Sequence, residues 1–428
     1  MQLKSVMDYT HQENFKTHIL SVPLLSKDHF AFAVVNNGDV IGNLAIMVSS
    51  NTCEIIAFSC AEKIDCSRCF SFIVEELFFE FPEVTTICVV KNNLRNENFI
   101  LVSHSDEFTG LNDRYILQKK RIAVTALKPS DGGLHLGHYF GNIKPLIDRQ
   151  DLYECVFVFA DLQLLNTDKK YYIAANRIRN IKLMLRQLLA LGVNPQKTKI
   201  ILESQLKARA LSDFITLSDF ATDARIYRNP YIKAERSSSG STPKPMKMSV
   251  LNYPIMEALD FYLTKADVMF SNMDNKACVE FTNELYQKLF SAGLMPRKKV
   301  KLIHGLYDYL PGIDGKKMSK GNNNAINFSD LGNDIRKKVN KMYTDPNRIS
   351  ADIPGSIENN VVFKFLRLFL PAEAFSKIQL DYEEGKIKDT ETKNLLAEHM
   401  SKFILSTQEI ASRLDDEIIN TIIGDVEI

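Results

Sequence analysis

From about residue 121 onward, short apolar runs alternate with long stretches of helical apolar spacing, and that alternation allows few folds. Residues 122–127, 155–160, 198–203 and 266–270 read as buried strands, and 137–149, 171–191, 256–262 and 277–289 read as helices. Strands separated by helices pair in parallel, and a parallel sheet is covered by helices on both faces. Ligands of such sheets bind at the carboxyl ends of the strands. The expected fold class is therefore α/β, a Rossmann-type parallel-sheet domain, and the search for a site starts where the first of these strands gives way to a helix.

That junction reads Pro129-Ser130-Asp131-Gly132-Gly133-Leu134-His135-Leu136-Gly137-His138. It is a tight turn followed by two imidazoles three residues apart, on one face of a helix start. Partly positive donors there, beside free helix N–H groups, suit an anion that grows more negative in a transition state. A second motif, Lys316-Lys317-Met318-Ser319-Lys320, lies far downstream in a loop bounded by Gly312 and Gly321. Lys317 and Lys320 can contact α-, β- and γ-phosphates from the other half of the sheet. The pair reads as a clamp for a nucleoside triphosphate. Neither motif has the GxxxxGK[ST] form, so a different chemistry is expected. Zinc sites share the His-x-x-His spacing, but the surrounding glycines favour close backbone approach to a nucleotide.

The chain of 428 residues exceeds what one core usually serves. Three regions are expected. Residues 1–120 read as a small α+β accessory domain, with strands at 30–35, 40–48, 54–58 and 85–90 and a helix at 71–79. Residues 121–330 form the catalytic domain, interrupted by the Ser-rich stretch 237–243, a lid-like insertion. Residues 331–428 read as all-helical. A net charge of +1 gives no global case for nucleic acid, although residues 225–248 carry six Lys or Arg against Glu235 alone. No apolar run reaches membrane-spanning length, and residues 1–20 carry His11, Glu13 and Lys16 rather than a leader's apolar core, so a cytoplasmic protein without membrane partners is expected. Seven cysteines suit a reducing compartment. Cys60, Cys66 and Cys69 cluster with half the spacing of a zinc knuckle, but buried thiols are the plainer reading and no metal site is assigned.

Four motifs, in order over roughly 290 residues, resemble the class I aminoacyl-tRNA synthetases of the tryptophanyl and tyrosyl type. His135-Leu136-Gly137-His138 looks like that family's first signature, and Lys317-Met318-Ser319-Lys320 like its lysine loop. Ala160-Asp161-Leu162-Gln163 resembles its Ala-Asp-Leu-His stretch. Tyr253-Pro254-Ile255-Met256-Glu257-Ala258-Leu259-Asp260 resembles its Tyr-Pro-x-x-Met/Gln-Ala-x-Asp helix. The accessory region is similar to part of the GNAT acetyltransferase fold, but without the turn that cradles coenzyme A's pyrophosphate, so it reads as a degenerate, non-catalytic copy.

The resemblance implies ATP-dependent activation of an amino acid to an aminoacyl-adenylate, with Mg2+ on the phosphates, and transfer to tRNA. It implies a protein-biosynthesis ligase of tryptophan or tyrosine type, acting as a homodimer. His135, His138, Lys317 and Lys320 would stabilise the transferring phosphoryl group. Pro129, Ser130, Gly137, Asp274, Met318 and Ser319 would hold ATP, and Lys128, Gln163, Tyr253, Glu257, Asp260 and Asn275 the amino acid. Asp260 matches the side-chain reader, an acceptor for an indole N–H or a phenol. Several positions depart from the pattern: Asn275 stands for glutamine, Cys278 for histidine, Gln163 for histidine and Lys128 for glutamine. Glu257 sets a second carboxylate near Asp260, which by sequence favours a cationic or donor-rich substrate. The alternatives are an adenylate-forming ligase of altered specificity and an inactive synthetase-like binding protein.

Overall fold

The protein is described here by a computed structural model covering residues 17–23, 29–36, 39–49, 52–60, 77–79, 81, 84, 86–90, 108–111 and 114–118, and then 121–424 except 209, 238–244, 347, 349, 351, 352 and 359. It divides into two compact units, residues 1–121 with 297–301, and residues 122–296 with 302–428.

The first unit is built on a seven-stranded sheet. Its strands are β1 (Thr17–Pro23), β2 (His29–Asn36), β3 (Asp39–Ser49), β4 (Thr52–Cys60), β5 (Thr86–Val90), β6 (Phe108–Leu111) and β7 (Arg114–Gln118), in the order β1-β2-β3-β4-β5-β7-β6. Neighbours are antiparallel except β4 and β5. The four strands expected from alternation are present, while β1, β6 and β7 were not foreseen. The last two are only four and five residues long, too short for a period of two to stand out. Of the expected helix at 71–79, residues 77–79 are described and helical, with Leu77 and Phe78 buried. Cys66, Cys69 and the side chain of Cys60 lie outside the described residues, as does most of the Ser-rich insertion.

The second unit carries a five-stranded sheet of β8 (Ile122–Leu127), β9 (Glu154–Phe159), β10 (Thr198–Leu202), β11 (Val268–Phe270) and β12 (Lys301–Ile303), ordered β10-β9-β8-β11-β12. The first four pair in parallel. The chain runs outward from β8 through β9 to β10, then returns to the other side of β8 at β11. That reversal is a topological switch point, and it opens a crevice beyond the carboxyl end of β8. The helical run after β8 is broken: an α turn at Leu136–His138, a π turn at Tyr139–Ile143 and an α turn at Lys144–Ile147. Pro145 has no N–H to give to the Gly141 carbonyl, so an unbroken α ladder through this run is impossible. The C-terminal helices Gly332–Asn340, Val361–Phe369, Ala372–Glu383, Asp389–Ser412 and Asp416–Ile423 share one buried apolar cluster with the sheet, from Phe157 and Phe159 to Phe363, Phe365 and Met400. Tyr139, in the π turn, packs its ring against Phe328 and Phe403, which ties the first signature's helix to this C-terminal layer.

Candidate active site

A cleft of about 740 Å3 opens at the carboxyl end of β8. Lys128, Ser130, His135, His138, Gln163, Tyr253, Glu257, Asp260, Asp274, Asn275, Ser319 and Lys320 all line it. The other expected site residues, Pro129, Gly137, Lys317 and Met318, do not line it, although Lys317 is half-exposed and reaches Asp274 on its wall. Residues as far apart in sequence as Lys128 and Lys320 thus converge on one space.

The two signatures dock directly on each other. Lys320 Nζ donates to Ser130 Oγ at 3.0 Å and to the Asp131 carbonyl at 2.8 Å, and it also bonds the Gly133 carbonyl. The Gly137 N–H points at Met318 Sδ, 3.2 Å away. Leu136 N donates to Ile326 O at 3.0 Å and Phe328 N to Leu134 O at 2.9 Å, so a short backbone bridge fixes the lysine loop beside the turn. The turn needs its glycine: Gly133 has φ +69, and a Cβ there would sit 2.2 Å from Gln187 Oε1. That oxygen accepts the Leu134 N–H at 2.7 Å. Within the loop, Asn324 Nδ2 donates to Asp314 Oδ1 and to the Lys317 carbonyl, and Asn324 Oδ1 accepts from Ser319 N. Lys317 Nζ lies 2.5 Å from Asp274 Oδ2.

His135 and His138 stack with ring centroids 3.5 Å apart, each ring nitrogen accepting from the other residue's backbone N–H. Burial, with Lys320 and Lys317 nearby, lowers His135 to about 3. Burial first, then His135 and the two lysines, holds His138 well below its ordinary value. Both imidazoles are therefore neutral at pH 7, each with one N–H left to donate, and the lysines carry the charge. Burial also lowers Lys320 to about 8.

The other end of the cleft is acidic and buried. Asp260 comes from the helix Tyr253–Thr264, and Glu203 and Lys207 from the short helix Glu203–Lys207 that follows β10. Lys207 Nζ lies 2.5 Å from Glu203 Oε1 and 2.9 Å from Asp260 Oδ1, with side-chain exposures of 5%, 0% and 7% for the lysine, Glu203 and Asp260. It also donates to the Met256 carbonyl at 2.8 Å. Gln163 donates its backbone N–H to Glu203 Oε2 and its Nε2 to Asp260 Oδ2 at 3.3 Å. Asp161 accepts from Ser204 N at 3.0 Å and so anchors the start of that short helix. Burial, opposed mainly by Lys207, raises Asp260 to about 7. Burial raises Glu257 too, against hydrogen bonds from Tyr253 and Cys278 and the charge of Lys128. The Lys128 ammonium stands over the Tyr253 ring at 4.8 Å and the Tyr231 ring at 5.8 Å. Asn275 Nδ2 donates to Ser271 Oγ, which also accepts from Asn142.

Glu203, Lys207 and Tyr231 escaped the sequence reading. For the first two a signal existed. A glutamate immediately after a buried strand stands at the ligand-binding edge of a parallel sheet, and a lysine four residues later can fold back onto it. Nothing in the sequence pairs Tyr231 with Lys128.

Residues 118–404 match the family described as tRNA synthetases class I (W and Y). The tryptophan–tRNA ligase of Chlamydia caviae is 33% identical over 309 residues, which cover 70% of this chain and 87% of that one. The tryptophan–tRNA ligase of Borreliella burgdorferi is 34% identical over 291 residues, 67% of this chain and 81% of that one. In fold, the second unit is similar to the tryptophanyl-tRNA synthetase of Campylobacter jejuni solved with ADP and tryptophan, with a TM-score of 0.59, 23% identity and coverage of 70% of this chain and 92% of that one. A parallel sheet with a nucleotide-type turn and a docked lysine loop defines a class I synthetase architecture. The chain belongs to the class I aminoacyl-tRNA synthetase family of the tryptophanyl and tyrosyl type. Among the described residues, no helix is long and apolar enough to cross a membrane.

Proposed function

We propose that this chain activates an amino acid of the tryptophan or tyrosine type with ATP and transfers it to tRNA. The observation that carries the reading is the docking of Lys320 onto the Ser130–Gly133 turn, above a cleft whose far end is a buried carboxylate cluster. An oxygen of the amino-acid carboxylate attacks the α-phosphorus, the bond to pyrophosphate breaks, and the aminoacyl-adenylate stays in the cleft. A terminal tRNA hydroxyl then attacks the carbonyl carbon, gives up its proton, and AMP leaves.

The residues present suit ATP. Gly133 and Gly137 allow close backbone approach, with Pro129, Ser130, Met318 and Ser319 shaping the surroundings of the nucleotide. Lys320 and Lys317 turn to the phosphates, Lys317 leaving Asp274 as it does so. The neutral rings of His135 and His138 donate to the phosphoryl oxygens as charge builds there, at no cost of moving a charge into the site. Mg2+ carried by the triphosphate's own oxygens would neutralise part of their charge, and the described residues hold no metal-ligating cluster of their own. Gln163, Tyr253, Glu257 and Asn275 line the amino-acid end, with Glu257 facing the α-ammonium and Asp260 the side chain. Residues 1–120 act as an accessory domain and residues 331–428 as a helical domain facing tRNA. The protein works as a cytoplasmic homodimer, which sedimentation of the full chain will read as twice the chain mass.

Amino-acid-dependent ATP–pyrophosphate exchange across all twenty amino acids, with and without bulk tRNA, tests the activity. Exchange with tryptophan or tyrosine is expected, and Lys317→Ala abolishes it. Exchange with another amino acid instead moves the specificity to the altered Glu257 and Asn275 positions. No exchange in any combination overturns the reading.

A further inference from the structure

Lys207 is not part of either signature, and phosphoryl transfer does not need it, yet it stands against the carboxylate that faces the substrate side chain. Around Asp260, Glu203 and Lys207 approach from one helix, Glu257 from its own helix and Cys278 from the helix Lys276–Ser291, with Lys128 beyond Glu257. Three carboxylates therefore share a buried floor, and Lys207 is the cation in contact with two of them. Such a cluster cannot hold three full negative charges by itself. Without Lys207, Asp260 would take up a proton and become a hydrogen-bond donor instead of an acceptor.

Building on the amino-acid-activating reading above, we propose that Lys207 is a specificity-determining positioning residue: its ion contact with Oδ1 favours the ionised form of Asp260 and so keeps this carboxylate an acceptor for a neutral side chain bearing one N–H or O–H. Gln163 Nε2 already occupies one direction at Oδ2, 3.3 Å away, which leaves room for one further donor. A cationic side chain reaching Asp260 would meet an ammonium already 2.9 Å from the same carboxylate. The sequence, which shows Glu257 and Asp260 close together, favours a cationic or donor-rich substrate. The structure supplies the opposing charge and leaves the neutral donor. The position of Asp260 near 7, raised by burial and by Glu203 and Glu257, has Lys207 as the largest influence that lowers it.

The charge state of Asp260 is measurable without any substrate. Infrared titration of the full chain with 13C-labelled aspartate, with an Asp260→Asn spectrum subtracted, gives its midpoint. Lys207→Met is expected to raise that midpoint by about 1–3 pH units, and Lys207→Arg to hold it near the wild-type value. Should Lys207→Met fail to fold, Lys207→Gln, which keeps a polar side chain of similar reach without the charge, reads the same rise. A midpoint that the loss of the lysine charge leaves unmoved overturns the proposal.

Pyrophosphate exchange then reads the consequence. Lys207→Met raises the KM for the preferred amino acid about tenfold near pH 6.5 with kcat little changed, the defect shrinks as pH rises and Asp260 ionises, and Lys207→Arg rescues it. A wild-type enzyme that prefers lysine or arginine overturns the selection against cations. No exchange in the wild type strikes the functional reading only, and the titration still decides the role of Lys207.

Discussion

The two ends of the cleft, for which we propose nucleotide at one and amino acid at the other, are made in opposite ways. The first end is largely backbone, a glycine turn and a bridged loop, with Lys320 tethered to the turn, Lys317 half-exposed against Asp274, and two neutral imidazoles beneath. The amino-acid end is side chain throughout, with buried carboxylates and ammoniums held by one another. The first can be built from contiguous residues, because a turn and a loop carry their geometry in local sequence. The second exists only after β10, the helix Tyr253–Thr264 and the helix Lys276–Ser291 have been brought together. A nucleotide common to every member of such a family can be held by a fixed backbone cradle. The part of the site that differs between substrates is assembled from long-range charge pairs that single substitutions can retune.

The largest effect expected from breaking this contrast lies at Lys320. Lys320→Ala removes both a charge proposed to meet phosphate and the tether to the Ser130–Gly133 turn, and kcat for adenylate formation should fall by about 100- to 1,000-fold, with a smaller change in the KM for the amino acid. Stopped-flow or exchange kinetics will separate the two. The same lysine predicts a pH limb. Lys320 loses its proton as pH rises through about 8, so kcat/KM for ATP, which reports the free enzyme, should decline above that pH. A profile that stays level to pH 9.5 would assign the decisive charge to Lys317.

Next in size is the turn. Gly133→Ala places a methyl 2.2 Å from Gln187 Oε1 on a backbone with φ +69. Together, the steric displacement and the left-handed strain should cost about 2–4 kcal/mol in urea unfolding. Adding Gln187→Ala relieves the contact but leaves Leu134 N without its acceptor, so the double variant should recover only part of the loss. Full recovery would mean that the clash alone is at work.

What the sequence made legible follows the same division. The parallel sheet, a cleft at the end of β8, and the turn and lysine loop as the segments beside it were all readable, since strand–helix alternation and contiguous motifs encode them directly. The short strands β6 and β7 were not, because four or five residues show no periodicity. The continuous helix expected at 137–149 came out broken by a π turn, since Pro145 removes one rung. The sequence reading of the acidic end lacks one charge for a physical reason. Glu257 and Asp260 are neighbours on one helix and visible as a pair, whereas Lys207 reaches Asp260 from a different element 53 positions away, and only burial makes that contact matter.

The imidazoles offer a further test of the nucleotide end. Both are neutral in the native state, while in the unfolded chain they titrate near 6.5. The unfolded chain therefore binds protons first as pH falls. Stability from this pair is fully present above about 6.5 and is lost progressively as pH drops toward about 3. Between pH 7 and 5.5 the loss should be about 1 kcal/mol for each histidine. Urea midpoints across that range will show it, and His135→Asn with His138→Asn, which keep side chains able to accept the same backbone N–H groups, should flatten the slope. A wild-type slope already flat would mean that the rings titrate in the folded protein as they do in the unfolded chain.

The smallest effect separates two roles for Lys128, where the amino-acid end meets the turn. Its ammonium lies over the Tyr253 and Tyr231 rings, which are themselves 4.4 Å apart, and its charge opposes the upward push of burial on Glu257. Lys128→Met preserves length and apolar bulk but removes both the cation–π contact and the charge. Stability should fall by about 1 kcal/mol, because the site is only partly shielded from water. Glu257 then holds its proton to higher pH and offers less negative charge to the α-ammonium, so the KM for the amino acid should rise about threefold, with the difference fading as pH increases. A KM that falls instead would make Lys128 an occupant that the substrate has to displace. Glu257 would then be free to bind the α-ammonium once the lysine is gone, and the amino-acid end would be a site held closed by its own side chain until substrate arrives.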